Sequence, residues 1–424
     1  MRSPFLAILV LALATPPALA GEEPASDPAN QGVGKDFAEE VTAVEVRAPA
    51  RGSYFPTRRG HAIGDFTAVF FAGERVTFED NIFRTDRDTE SDTVFSTTLG
   101  ARLTTEGARM DGDLAAALTH DDYVHNDGED FLGGWLDLRS RFGMERGPFL
   151  EVTDRLDVRE DSVTTSLSAP GNPVLAASGT RVRQVQNDLG LTGGLRGEKS
   201  EAEVRYDHFR IDYGSPLDPL SSIERRATFV GRRSASPKSE ANLQVEARAV
   251  RYDDPANNDY DALGSYVGGR WDATPKTSLQ GRIGLLVQDV SAGGVNPDSS
   301  EFSGTAGTLS ILHEVGPELF VDGTISRDIY PALGSNYQLI ELAGAGARWE
   351  FRPDWIARAG ASLQRTRNSD GIDGSFYTMQ AEISWSPSDR WAVSLVGEHQ
   401  QFQGNVVGSD YAYNRVGLQV SVNF

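Results

Sequence analysis

The sequence predicts an all-β fold, a transmembrane antiparallel up-and-down β-barrel of about eighteen strands, with sixteen the alternative count. Three observations predict it. An export leader opens the chain. Tight turns recur about every 40 residues, room for two tilted spanning strands and a loop. The closing stretch Arg415 to Phe424, RVGLQVSVNF, alternates strictly between apolar and polar. Val416, Leu418, Val420, Val422 and Phe424 then share one face, because side chains along a strand alternate with a period of two.

The leader is Met1 to Ala20. Arg2 supplies its positive start, Phe5 to Ala14 its apolar core, and Ala18-Leu19-Ala20 an A-x-A cleavage site. The core is too short to span a bilayer, and no later run approaches the roughly 18 apolar residues that a spanning helix needs. The exported chain is therefore expected to be either soluble or a barrel. The chain has no cysteine, in keeping with an exported protein that uses no disulfides.

Asp and Glu number 61 against 40 Lys and Arg, for a net charge of −21. Such acidity argues against nucleic-acid binding and suits a solvated, cation-rich surrounding. Of the four lysines, Lys199, Lys238 and Lys276 fall in short turns, and Lys35 lies near the start. Forty-four glycines and a mean hydropathy of −0.36 fit a barrel, in which only alternate residues face lipid.

Residues 21–64 read as an acidic, largely disordered periplasmic tail, with Pro24 and Pro28 and no sustained period. Its end turns basic at Arg47, Arg51, Arg58 and Arg59. A plain linker and a segment docking on a partner or in the barrel are both compatible with it. It is too short for the folded plug of a TonB-dependent receptor.

Residues 65–424 read as the barrel. Short turns are expected at Glu106-Gly107, Arg146-Gly147-Pro148, Gly197-Glu198-Lys199, Ser236-Pro237-Lys238, Thr274-Pro275-Lys276, Val315-Gly316-Pro317, Pro353-Asp354 and Pro387-Ser388-Asp389. Gly and Pro punctuate tight turns. Longer polar loops alternate with them, among them Asp80 to Ser91, His120 to Asp130, Glu160 to Thr180 and Tyr330 to Asn336. Short turns on one rim and long loops on the other is the asymmetry of outer-membrane barrels, and an even strand count puts both termini on the short-turn, periplasmic side.

Individual strands fix the faces. Leu243, Val245, Ala247 and Ala249 alternate with Asn242, Gln244, Glu246 and Arg248. Leu136, Leu138 and Phe142 oppose Asp137, Arg139 and Arg141. Leu150, Val152, Leu156 and Val158 oppose Glu151, Arg155, Asp157 and Arg159; Asp154 interrupts that apolar face and reads as a bulge or rim position. Trp271, Trp349, Trp355, Trp385 and Trp391 all lie close to short turns, as an interfacial aromatic girdle would.

Three motifs carry a family resemblance. Glu79-Asp80-Asn81-Ile82-Phe83-Arg84-Thr85, Ser326-Arg327-Asp328-Ile329-Tyr330 and Tyr413-Asn414-Arg415-Val416 resemble segments of a bacterial outer-membrane β-barrel porin family that includes exopolysaccharide-associated barrels. The resemblance covers the barrel and not the tail. It implies an outer-membrane location and the same fold. The terminal Phe424 behind its aliphatic ladder likewise resembles the signal read by barrel-insertion machinery.

The lumen-facing charge candidates are Asp137, Arg139, Arg141, Glu151, Arg155, Glu201, Glu203, Arg205, Glu246 and Arg248. Such charges tune the ionic preference of a pore, and arginine forks can grip anionic sugars or phosphates. The plainer reading is that they pair across strands and solvate the wall. The loop Glu160 to Thr180 is expected either to fold inward and narrow the pore or to lie outside. His120 and His125 sit among five acids without EF-hand or zinc-protease spacing. Ser310 with His313, and Ser394 with His399, are the only Ser–His neighbours to weigh for catalysis, and neither has an evident third member. No phosphate-binding glycine loop occurs.

The sequence thus predicts a passive or substrate-selective pore rather than an enzyme, with no cofactor and no catalytic or metal residues. The alternative is an accessory barrel for exopolysaccharide export with a periplasmic partner. Expected partners are outer-membrane lipid, the insertion machinery, and small hydrophilic solutes or polysaccharide.

Overall fold

The computed structural model describes residues 61–107, 110–143, 146–162, 181–215, 218, 221–255, 257–291, 298, 300–330, 335–388, 390–406 and 409–424. The leader, most of the tail and the centre of the Glu160 to Thr180 loop lie outside the described residues.

Nineteen strands follow one another: β1 (His61–Ile63), β2 (Phe66–Glu79), β3 (Asp92–Thr105), β4 (Met110–Tyr123), β5 (Phe131–Gly143), β6 (Gly147–Ser162), β7 (Arg181–Arg196), β8 (Ser200–Tyr213), β9 (Ser222–Ser236), β10 (Ser239–Tyr252), β11 (Tyr260–Thr274), β12 (Thr277–Val290), β13 (Phe302–Gly316), β14 (Leu319–Tyr330), β15 (Gln338–Arg352), β16 (Trp355–Asn368), β17 (Asp373–Ser388), β18 (Trp391–Gly404) and β19 (Tyr411–Asn423). Strands β2 to β19 each pair antiparallel with the next. The sheet closes where β19 meets β2, from Arg415↔Glu79 to Asn423↔Phe71. The barrel therefore has eighteen strands, and closure leaves neither β2 nor β19 as a free edge strand. No helix among the described residues is long and apolar enough to cross a membrane.

β1 lies within the stretch expected to be disordered. It pairs His61↔Ala68, Ala62↔Thr67 and Ile63↔Phe66. Just above it, the Phe424 amide donates to the Phe70 carbonyl at 2.8 Å. β1 thus continues the lane of β19 along β2 and satisfies the lower edge that β19 is too short to cover. Some strands also run further than their polar composition implies. His120 to Tyr123 complete β4 rather than begin a loop.

One face of the barrel is apolar and open to lipid. Leu99, Leu118, Leu132, Leu195, Val204, Leu243, Leu263, Ile283, Leu285, Leu395 and Leu418 are all exposed there. At its short-turn end Trp271, Trp349, Trp385 and Trp391 stand exposed. Trp349, Phe351, Trp355 and Trp385 run ring to ring at 5.1, 5.9 and 5.9 Å. An apolar band with an aromatic girdle marks the membrane interface. The chain is an outer-membrane β-barrel. Val416, Leu418, Val420, Val422 and Phe424 share this outer face.

Asp154 corrects one expectation. The ladders from β6 to β5 and to β7 run through it without a register shift, so it is no bulge, and it lies mid-strand rather than at a rim. Its carboxylate faces outward and accepts from the Asn187 side-chain amide on β7 at 2.8 Å. A cross-strand partner offsets part of the cost of a polar group on that face.

Trp135 differs from the other tryptophans. It shares a register row with Ala117, itself opposite Gly100, on the inner face. There it stacks on Phe71 with ring centroids 6.5 Å apart. Phe71 reaches it across Gly100, where any Cβ would collide with the Phe71 ring. Tyr266 lies likewise against Gly264 and Gly284. Large rings therefore lie flat on the inner wall instead of projecting into the lumen.

Candidate functional site

The lumen is the site. Its wall is polar because each strand turns every second residue inward. All ten lumen-facing candidates share this inner face. They fall into groups. Asp137 sits opposite Arg155 in the β5–β6 ladder. Arg155 Nη2 lies 3.8 Å from Asp157, and Arg139 Nη2 is 3.3 Å from Glu151. The Arg141 guanidinium lies 5.1 Å above the Phe149 ring. Glu201 accepts from Arg196 at 2.6 Å, and Arg232 bridges Glu201 at 3.3 Å and Glu203 at 2.8 Å. Arg205 donates to Asp207 at 2.7 Å and remains half exposed, as does Arg139.

Glu246 and Arg248 belong to a quartet whose other members are Glu224 and the partly exposed Arg226. Arg248 Nη2 meets Glu246 at 2.8 Å and Arg226 Nη2 meets Glu224 at 2.5 Å. Crossed contacts of 3.7 and 3.8 Å join Arg248 to Glu224 and Arg226 to Glu246. Glu224 and Arg226 are not among the lumen candidates that the sequence offers. β9 begins at Ser222, and alternation from there carries both side chains inward.

What lies over Arg248 is the upper end of β14 and β15. β13 and β14 pair only as far up as Gly307↔Arg327. Above that row β13 stays on β12 up to Phe302, whereas β14 stays on β15 up to Tyr330. Ile329 and Leu339 point away from the inner row of their own strands, yet both are buried. They pack with Val250, Tyr260, Leu286 and Phe302, inner-face residues of β10 to β13. The back of the hairpin tip therefore rests on the inner wall of those strands. Arg248 Nη1 donates to the Ile329 carbonyl at 3.4 Å. Each buried aliphatic side chain contributes about 1.5–3 kcal/mol to holding the tip inward.

Asn336 fixes the loop beyond. Its carbonyl accepts from the Gln288 side-chain amide at 3.0 Å, and its side-chain oxygen from Asn258 at 2.9 Å. Its own side-chain amide donates to the carbonyls of Asp298 and Ser300 at 3.0 and 2.9 Å. Its main-chain amide contacts an Asp298 carboxylate oxygen and the Ser369 hydroxyl, both at 2.9 Å. The Asp298 carboxyl is partly desolvated, which would raise its pKa. Hydrogen bonds from Ser369, Ser300 and Asn336 outweigh this and hold it below the ordinary 3.8. One loop residue thereby ties together four neighbouring loops and strands.

A second loop, 80–91, also turns inward. Ile82 is buried with Val94 and Tyr123. Asn81 spans the loop: its side-chain amide donates to the carbonyls of Thr85 at 2.8 Å and Ala412 at 3.0 Å, and its oxygen accepts from the Thr85 amide at 3.0 Å. Arg84, at φ 53°, places its guanidinium 4.5 Å over the Tyr413 ring.

The candidate catalytic pairs do not assemble. Ser310 faces the lumen and bonds Thr324 at 3.0 Å, whereas His313 faces outward and meets Thr277 at 2.9 Å. Ser394 bonds Ser384 inside at 2.8 Å, and His399 meets Asn414 outside at 2.8 Å. An odd separation puts each pair on opposite faces. The backbone and side chain of His125 are taken up by Asp92, with Nδ1 at 3.2 Å. The His120 ring lies 3.2 Å from the Phe131 carbonyl. Among the described residues no group of three potential ligands could hold a metal.

An eighteen-stranded closed barrel with a polar inner wall, an aromatic outer girdle and both ends on the short-turn rim has the architecture of bacterial outer-membrane porins. No protein-family model matches the chain, and no curated protein sequence matches it. Solved structures are similar in fold. OpdO of Pseudomonas aeruginosa is 13% identical over 85% of this chain and 98% of its own, with a TM-score of 0.49. OccAB3 of Acinetobacter baumannii is 8% identical over 85% and 100%, also at 0.49. The siderophore receptor PirA of P. aeruginosa is 9% identical over 87% and 81%, at 0.43. Likeness at this level carries nothing about substrate.

Proposed function

We propose that the protein is a diffusion pore of the outer membrane, throttled at its outer mouth by the β14–β15 tip. The observation that carries this reading is the inner wall. Its charges are paired across neighbouring strands, as in Glu201–Arg196 and Glu203–Arg232, so the wall is hydrated without a strong net field. A barrel of this strand number encloses a channel unless something fills it. The inward tip narrows that channel on the β10–β13 side, while Arg139 and Arg205 remain open to solvent and set ionic preference. The accessory role in exopolysaccharide export rests on the tail, most of which lies outside the described residues.

Single-channel recording of the purified barrel in a planar bilayer tests the pore. Discrete openings are expected, and Arg139→Glu with Arg205→Glu should shift the reversal potential in a salt gradient toward cations. A folded barrel that never opens would overturn the reading.

A further inference from the structure

The last row that joins β13 to β14 is Gly307↔Arg327, and it continues as Arg327↔Glu341 and Glu341↔Arg365 onto β15 and β16. Strand alternation puts this row on the outer face, two residues above Ile325 and Leu363, which are exposed to lipid. Arg365 lies about ten residues along β16 from Trp355 at the short-turn end, the length of a spanning strand. The row therefore stands at headgroup level on the long-loop side of the apolar band. Arg367, the next outward residue of β16, completes the group.

The group is cationic. Glu341 holds both Arg327, at 3.3 Å, and Arg367, at 3.1 Å. Arg365 is exposed. Asp373, opposite Arg367 in the ladder, is the other acid of this face. Three guanidinium groups thus face two carboxylates. The outward arginines of β8 and β10 differ. Arg210 meets Asp212 at 2.8 Å and Asp253 at 3.2 Å, and Arg251 meets Asp261 at 2.6 Å and Asp259 at 3.8 Å. Two carboxylates stand by each cation there, so no positive charge is left over. Donors are also in excess at β14 to β16. Arg327 and Arg367 each give Glu341 one Nη contact, and the Nε–H of each has no acceptor. A guanidinium presents its donors in a fork that matches phosphate oxygens.

We infer that the outer face of β14 to β16 holds the phosphate of a lipid in the adjoining leaflet, at Arg327, Arg365 and Arg367, with its acyl chains along Ile325 and Leu363. Attraction between basic side chains and anionic headgroups falls off within a Debye length, so the excess charge of this face acts on the lipid seated beside it. The site lies outside the lumen and is independent of conduction along the barrel axis.

The test is native mass spectrometry of the full barrel, released from detergent micelles titrated with diphosphoryl lipid A as the probe. Retention of about one lipid per barrel is expected, and removing both phosphates from the probe should abolish it. Arg365→Gln with Arg367→Gln should weaken retention about tenfold. Glu341→Gln removes the acid that two of the arginines share and should strengthen it. Arg210→Gln with Arg251→Gln, on the matched face, should leave it unchanged. Heat-modifiable gel migration checks the folding of each variant. No retained lipid, equal retention of the dephosphorylated probe, undiminished retention by the folded β16 double variant, or an equal loss in the Arg210 and Arg251 variant would each overturn the inference. If the β16 double variant does not fold, Glu341→Gln decides, and retention that is unchanged or weaker overturns it. A silent barrel that retains the lipid removes only the pore; a conducting barrel that does not removes only the lipid site.

Discussion

Gln288, on the lumen side near the upper end of β12, donates its side-chain amide to the main-chain oxygen of Asn336 at 3.0 Å. The two are buried and belong to different hairpins. This bond and its neighbours convert an ordinary loop into a latch across the mouth. Asn336→Ala removes the side-chain bonds to Asn258, Asp298 and Ser300 together. We expect a larger single-channel conductance and a loss of about 1–3 kcal/mol of unfolding free energy, the cost of buried groups left unpaired. Conductance traces and urea-dependent gel migration check the two effects.

Acid should release the same latch. The Asp298 pKa is lowered in the folded protein, so its contribution is fully present well above 3.8. It is lost as pH falls from about 4 through the lowered folded value. The labelling rate of Ile329→Cys, in a chain with no cysteine of its own, divided at each pH by that of the exposed control Val124→Cys so that the thiolate fraction cancels, should be low at pH 7 and rise below about pH 4.

The Glu224–Arg226–Glu246–Arg248 quartet predicts an asymmetry. Glu246→Ala leaves the buried Arg248 guanidinium under-compensated and should destabilise the barrel by about 3 kcal/mol. Replacing Glu246 and Arg248 together by Gln and Met should cost less than the single change. Urea midpoints of the three proteins measure this.

Asn81 holds Arg84 in a left-handed backbone conformation that a non-glycine residue adopts only under constraint. Asn81→Ala should free the loop and speed tryptic cleavage at Arg84 and Arg87, with a stability loss of about 1–2 kcal/mol. Cleavage at the unaltered rate would count against the loop's inward fold.

Tryptophan fluorescence separates the faces. Brominated lipid should quench Trp271, Trp349, Trp355, Trp385 and Trp391 but leave Trp135, stacked on Phe71 inside, unaffected. Trp135→Phe should therefore raise the lipid-quenchable fraction of the remaining emission.

Much of the fold is local and was legible. A period of two states which way Glu203 or Leu243 points before any strand has a neighbour, because a strand's pleat forces the alternation. Turn chemistry at Ser236-Pro237-Lys238 sets where each hairpin reverses. The register of β2 on β19 follows from closure. The three family-like motifs were legible as strings, yet their physical reason was not. Asn81 ties its loop to β19, Ser326 to Tyr330 mark where β14 departs from the wall, and Asn414 donates to Asp80 at 2.7 Å across the closing seam.

What the sequence determined by itself is the outer-membrane barrel of about eighteen strands and the two faces of its wall, since each depends on residues near one another along the chain. The tertiary structure alone decided how the lumen is shaped. Nothing in the alternation of β14 says that Ile329 will turn inside to meet Val250, or that Asn336 will find Gln288 and Asn258. Those contacts join residues 48 to 81 positions apart. They exist because an apolar row on the back of one hairpin gains more by resting on the inner wall of its neighbours than the β13–β14 ladder gains by continuing.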